Sequence, residues 1–110
     1  MNNVYDMAHE LARSLKESDQ YKQYKHMKEK VSENQALSDM INDFQEKNMA
    51  MQTQQMLGGT PAEDLIAQVQ SLYQIVMADP LAAQYIQAEL AFTQVVSDIY
   101  GILGEVIRVE

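Results

Sequence analysis

The chain has 110 residues, a formal charge of −8 and no cysteine. That length holds one ordinary domain rather than two. Its 46% apolar and 22% charged content excludes a disordered or collagen-like polymer. Without cysteine there are no disulfides, thiolate zinc sites, cysteine-ligated iron–sulfur clusters or thiol nucleophiles.

Charge is unevenly spread. Residues up to Gln55 carry seven basic and nine acidic side chains, whereas the rest carry only Arg108 against seven acids. Such a surface repels phosphate, so nucleic acid is not the expected partner of the whole chain. The N-terminus lacks a basic start and an apolar run, and the chain reads as having no stretch of about 18 apolar residues. A cytoplasmic protein without a membrane span is expected.

Helical spacing dominates the chain, and no segment alternates with period two. Asn3 can cap a first helix to about Glu17, with Val4, Met7, Ala8, Leu11, Ala12 and Leu15 on one stripe read as buried. Ser18 offers a second cap, followed by Tyr21, Tyr24, Met27 and Val31 on a common face. A third helix starts near Asn34 and carries Leu37, Met40, Ile41 and Phe44. Asn48 stands where an apolar residue would fit, and Met51 follows. Gly58-Gly59 can close this helix in the left-handed region.

Thr60-Pro61-Ala62-Glu63 reads as a capping box with proline at the first helical position. Leu65, Val69, Leu72, Tyr73 and Val76 then share a face. Asp79-Pro80 repeats the cap-plus-proline device and restarts or kinks the chain. The third and fourth helices, joined by a short turn, form an antiparallel hairpin.

The last helix runs from Pro80 toward Val109. Leu81, Tyr85, Ala88, Phe92, Val95, Ile99, Ile102, Val106 and Val109 form a heptad seam, with Val96, Tyr100, Leu103 and Ile107 beside it. From Phe92 onward the two stripes span about 180° of the helix, whereas one docking face needs little more than about 100°. A helix of that length measures about 45 Å, more than the roughly 34 Å diameter of a compact chain of this size. It must kink or project, and a projecting apolar helix wants another chain. Phe92, Val95, Val96, Ile99, Tyr100, Ile102, Leu103 and Val106 are therefore the expected interface of a homodimer or higher oligomer.

Nothing points to catalysis. Asp6–His9 and His26–Glu29 are helical neighbours, but neither has the paired Glu-x-x-His form of a di-iron bundle. The serines lie on helices or at caps, away from any base. Gly58-Gly59-Thr60 is too short for a phosphate loop. No enzyme, metal or cofactor is expected. Lys22, Lys25, Lys28 and Lys30 surround Tyr21 and Tyr24; they read as the solvated face of a short helix whose tyrosines pack inward. The alternative is an RNA-binding accessory protein that uses this Lys22–Lys30 helix. Met49 and Met56 fall off the third helix's stripe and hint at a second contact surface.

The ordered motifs carry a family likeness. Ala8-His9-Glu10-Leu11-Ala12 leads to Ser18-Asp19-Gln20-Tyr21-Lys22-Gln23-Tyr24, then to Phe44-Gln45 and Gln55-Met56-Leu57-Gly58-Gly59. Asp79-Pro80-Leu81 and Gln87-Ala88-Glu89 follow. Over nearly its whole length the chain resembles the YlbF/YmcA/YheA family of small all-helical bacterial proteins, most of all the YheA-like branch. The resemblance implies an oligomer-forming protein without known catalytic residues. It also implies kinship with adaptors that steer a membrane-anchored ribonuclease in mRNA maturation and affect competence, sporulation and biofilm formation. Some of those relatives hold iron–sulfur clusters through cysteines, which this chain lacks.

The expected architecture is a single all-α domain over 1–110, an elongated antiparallel helical hairpin or bundle. The hairpin spans about 34–109, with shorter N-terminal helices packed along it and a long C-terminal helix. The expected role is a non-catalytic protein–protein interaction and oligomerisation module of regulatory adaptor type.

Overall fold

The computed structural model describes residues 3–108. They form five helices: α1 (Val4–Glu17), α2 (Asp19–Ser32), α3 (Gln35–Met56), α4 (Glu63–Ala78) and α5 (Pro80–Ile107). No strand occurs among the described residues. The all-α reading holds, including the long final helix. Val109, placed by the sequence at the end of the apolar seam, lies outside the described residues.

The caps explain most of the boundaries. The Asn3 side chain accepts from the Asp6 backbone N–H at 2.8 Å and starts α1. Ser18 serves two helices at once. Its Oγ donates to the Leu15 carbonyl at 2.6 Å and accepts from the Tyr21 N–H at 3.2 Å, closing α1 and opening α2. Asn34 accepts from the Leu37 N–H at 3.1 Å. At the other end of α3, Gly58 adopts φ +82°. The Gly59 N–H reaches the Gln54 carbonyl and the Gly58 N–H the Gln55 carbonyl, both at 3.1 Å. This pairing is a Schellman closure, which glycine enters without strain.

The start of α4 departs from the sequence reading. Thr60 does not cap, Pro61 is not helical, and the helix begins only at Glu63, after Ala62. No side chain caps it. Pro61 is buried instead, so residues 57–62 carry it to its packing site before the helix begins. The Ala62 N–H finds the Gln54 side-chain oxygen at 3.1 Å, which ties the loop back to α3. Asp79 behaves as read. Its Oδ1 accepts from the Leu81 and Ala82 N–H groups at 2.9 and 3.1 Å, with Pro80 at the first position of α5.

Two compact units emerge from the packing: residues 29–84, and residues 1–28 with 85–110. In the first, α3 and α4 pack directly on each other. Phe44 meets Tyr73 with ring centroids 6.0 Å apart, and Asn48 lines a groove with Val69 and Gln70. Pairing therefore runs up one helix and down the other, as an antiparallel hairpin requires. Val31, Leu37, Ile41, Phe44, Val69, Val76 and Ala82 are its buried apolar residues. Burying a side chain such as Ile41 or Val76 contributes about 1.5–3 kcal/mol.

In the second unit, Met27, Tyr85, Ile86 and Ala88 are buried. Its first helix corrects the sequence reading: α1 has no buried residue, and Val4 is 79% exposed. Periodicity marks one face of a helix as apolar but does not supply a partner to cover it.

These caps predict opposite outcomes for two substitutions. Asp79→Ala removes two backbone acceptor contacts and should destabilise the fold by about 0.5–2 kcal/mol. Thr60→Ala should leave the urea midpoint unchanged.

Candidate functional site

The unit formed by residues 1–28 and 85–110 is organised by aromatic rings on α2 and α5. Tyr21 and Tyr24 are three apart on α2, so both rings leave the same face. Tyr85 and Phe92 are seven apart on α5 and also share a face. The Tyr24 ring stacks on Phe92 at 5.5 Å and 12°, and on Tyr85 at 6.0 Å and 25°. Tyr21 meets Phe92 edge-on at 5.4 Å. Each such pair contributes about 0.5–1.5 kcal/mol beyond burial. The Lys28 ammonium stands 5.7 Å from the Tyr24 ring centroid and adds a cation–π contact.

Tyr85 donates its hydroxyl hydrogen to Glu89 Oε2 at 3.0 Å. Burial, reinforced by the Glu89 carboxylate, pushes its phenol well above the ordinary tyrosine value. The phenol stays protonated and serves as a donor. It is a packing group with a satisfied polar tip, not an acid or base for chemistry near neutrality.

Tyr24 thus covers the first part of the heptad seam, and the seam then emerges. Phe92, Val95, Val96 and Ile99 are half-buried. Tyr100 is 69% exposed, Leu103 48% and Val106 82%, with Ile102 and Ile107 also open. Within the same unit, Val4, Met7 and Leu11 of α1 are exposed. The eight residues read as an interface therefore fall into a half-covered group and an uncovered group. A shallow groove lined by Tyr24, Glu89, Phe92, Thr93 and Val96 lies at the start of that stretch.

The other candidates separate. His9 and His26 are both exposed, and no group of three or more His, Asp or Glu side chains gathers among the described residues. Lys22, Lys25, Lys28 and Lys30 are exposed, while Tyr21 and Tyr24 are spent on Phe92 and Tyr85. The tyrosine rings of the basic helix are therefore not free for bases to stack on.

One described helix, α5, is long and apolar enough by length and composition to cross a membrane, with a mean hydropathy of 1.3. It achieves this average without an uninterrupted apolar run, because Glu89, Asp98 and Glu105 punctuate it. A carboxylate at a bilayer centre costs about 2.5–3.5 kcal/mol.

The sequence hinted at a second surface through Met49 and Met56 but did not show the groove beside it. Between α3 and α4 lies an open groove of about 450 Å³ lined by Phe44, Asn48, Val69, Gln70, Tyr73 and Gln74. Tyr73, placed by periodicity on the packed face, is 50% exposed. The available signal was polar: Asn48 interrupts the apolar stripe of α3, and no lining residue is charged.

Comparison with known proteins agrees with this architecture. A family profile described as control of competence regulator ComK, YlbF/YmcA, matches residues 4–108. A UPF0342 protein of Caldicellulosiruptor bescii is 36% identical over 98% of this chain and 91% of its own length. Another, from Symbiobacterium thermophilum, is 34% identical over 97% of this chain and 96% of its own. The structure of a protein of unknown function (DUF964) from Bacillus stearothermophilus superposes with a TM-score of 0.77. It covers 94% of this chain and 91% of that one at 17% identity, which is a likeness of fold.

Phe92→Ala should remove the ring against which both tyrosines pack and cost about 1.5–3 kcal/mol. Urea titration would read this as a lower midpoint, together with loss of the near-ultraviolet tyrosine dichroism.

Proposed function

Because the chain belongs to the YlbF/YmcA family, described by control of the competence regulator ComK, we propose that it is a non-catalytic interaction module of regulatory adaptor type. It acts in the cytoplasm by self-associating through α5 and engaging protein partners. One observation carries this reading: the heptad seam of α5 and the stripe beside it continue past Phe92 with Tyr100, Ile102, Leu103, Val106 and Ile107 uncovered. An apolar stripe of this kind gains stability when a second helix removes it from water, at roughly 25 cal/mol per Å² buried.

The charges on α5 fit this reading better than a lipid environment. Asp98 and Glu105 stay hydrated at the rim of a helix–helix contact, whereas a bilayer would surround them. The basic α2 helix offers an RNA-binding accessory reading less support, since its tyrosines are engaged within the chain.

The test is Leu103→Asp combined with Val106→Asp. Both side chains are substantially exposed in the single chain, so the fold should persist, while a covered seam would have to bury two carboxylates. Sedimentation equilibrium at micromolar concentration should give a lower mass for the variant than for the wild type. An unchanged mass would remove α5 from the interface. RNA affinity that falls steeply with added salt would favour the accessory-protein reading instead.

A further inference from the structure

The α3–α4 hairpin has a charge pattern unlike the rest of the chain. From Asn48 to Ala78 the only charged side chains are Glu63 and Asp64, in a protein that carries 24 in all, eight basic and 16 acidic. Both acids sit in the first turn of α4. From Leu65 to Ala78 the helix has no formal charge, and α3 has none from Asn48 to Met56. The groove of Phe44, Asn48, Val69, Gln70, Tyr73 and Gln74 opens onto this stretch, with Glu46 and the Asp43–Lys47 ion pair next to Phe44 on α3. Its lining combines Phe44, Val69 and Tyr73 with the side-chain amides of Asn48, Gln70 and Gln74. Met49, Met56 and Leu57 are exposed on α3 and its connection to α4.

We propose that this face is a self-association surface distinct from α5, on which the same face of a second copy docks about a two-fold axis. Two features select a second copy over an unrelated partner. A two-fold contact sets one patch against the same patch of the other copy, residue i meeting j and j meeting i, so a chain of net charge −8 repels its copy wherever the contacting patch carries excess acid. The α3–α4 face is the long stretch that escapes this penalty. Its polar groups are the Asn48, Gln70 and Gln74 amides and the Tyr73 hydroxyl, each both donor and acceptor, so those of one copy can pair with those of the other where carboxylates or ammonium groups of one sign cannot. A partner chosen by opposite charge would find little here to recognise, since Lys47 beside the groove is already paired with Asp43. With α5 as a second contact, the chain has two self-complementary surfaces, which build assemblies larger than a dimer.

The experiment uses the full chain. Gln70→Glu with Gln74→Glu keeps side-chain size and helix propensity at two exposed positions, and sets like charges face to face across the proposed axis. Gln70→Lys with Gln74→Lys does the same with the opposite sign. Helical circular dichroism of both variants should match the wild type. Each variant alone should sediment with a lower mass than the wild type at equal concentration, and an equimolar mixture should recover the lost mass.

The same glutamate pair added to Leu103→Asp/Val106→Asp should bring the mass down to the 12.5 kDa of one chain. The proposal is overturned if the glutamate pair leaves the mass unchanged in both backgrounds. It is equally overturned if the lysine and glutamate variants fail to recover mass when mixed, or if the α5 variant alone is already a 12.5 kDa monomer. Failure of the α5 reading shows separately, as an unchanged mass for Leu103→Asp/Val106→Asp by itself.

Discussion

The stacking of Tyr24 between Tyr85 and Phe92 sets what α5 can do. Tyr85 and Phe92 lie two helical turns apart, and a single ring from α2 reaches both. That contact fixes α2 on α5 and covers the start of the seam. Beyond it the seam keeps the same spacing, through Ile99 to Val106, but receives no further ring from α2. Covered and uncovered parts of α5 are thus one continuous surface, divided by how far a short helix extends.

Backbone satisfaction follows the same economy. Ser18 closes one helix and opens the next with one hydroxyl, leaving no room for a loop between α1 and α2. Asp79 opens α5 directly after α4 ends. The one longer connection, residues 57–62, is held by a Schellman closure, a buried proline and the Gln54 side chain. Few residues are spent on irregular structure, so most side chains are displayed on helix faces. With so many helix faces and a small core, some apolar surface remains uncovered.

The family likeness agrees with these features without assigning chemistry to any residue. Among the described residues the polar groups that are drawn inward, such as the Tyr85 hydroxyl, have partners. Tyr85 is held protonated by its surroundings. This is the arrangement of a packing element.

Local chemistry alone fixed the helices, their order and most of their ends. Asn3, Ser18, Asn34, Gly58 and Asp79 act through neighbours within four residues, so their effect is readable without tertiary information. The inward turn of Tyr21 and Tyr24 was legible for the same reason, from their three-residue spacing. Thr60 misled because Pro61 is buried ahead of the helix and α4 starts only after Ala62, an outcome set by what Pro61 meets rather than by its neighbours in sequence. The exposure of the α1 stripe and of Tyr73 was equally hidden, since periodicity describes a face and not its cover. Only the folded chain decided which apolar faces its own helices could reach, because burial depends on the distance between elements rather than on the order of residues within one.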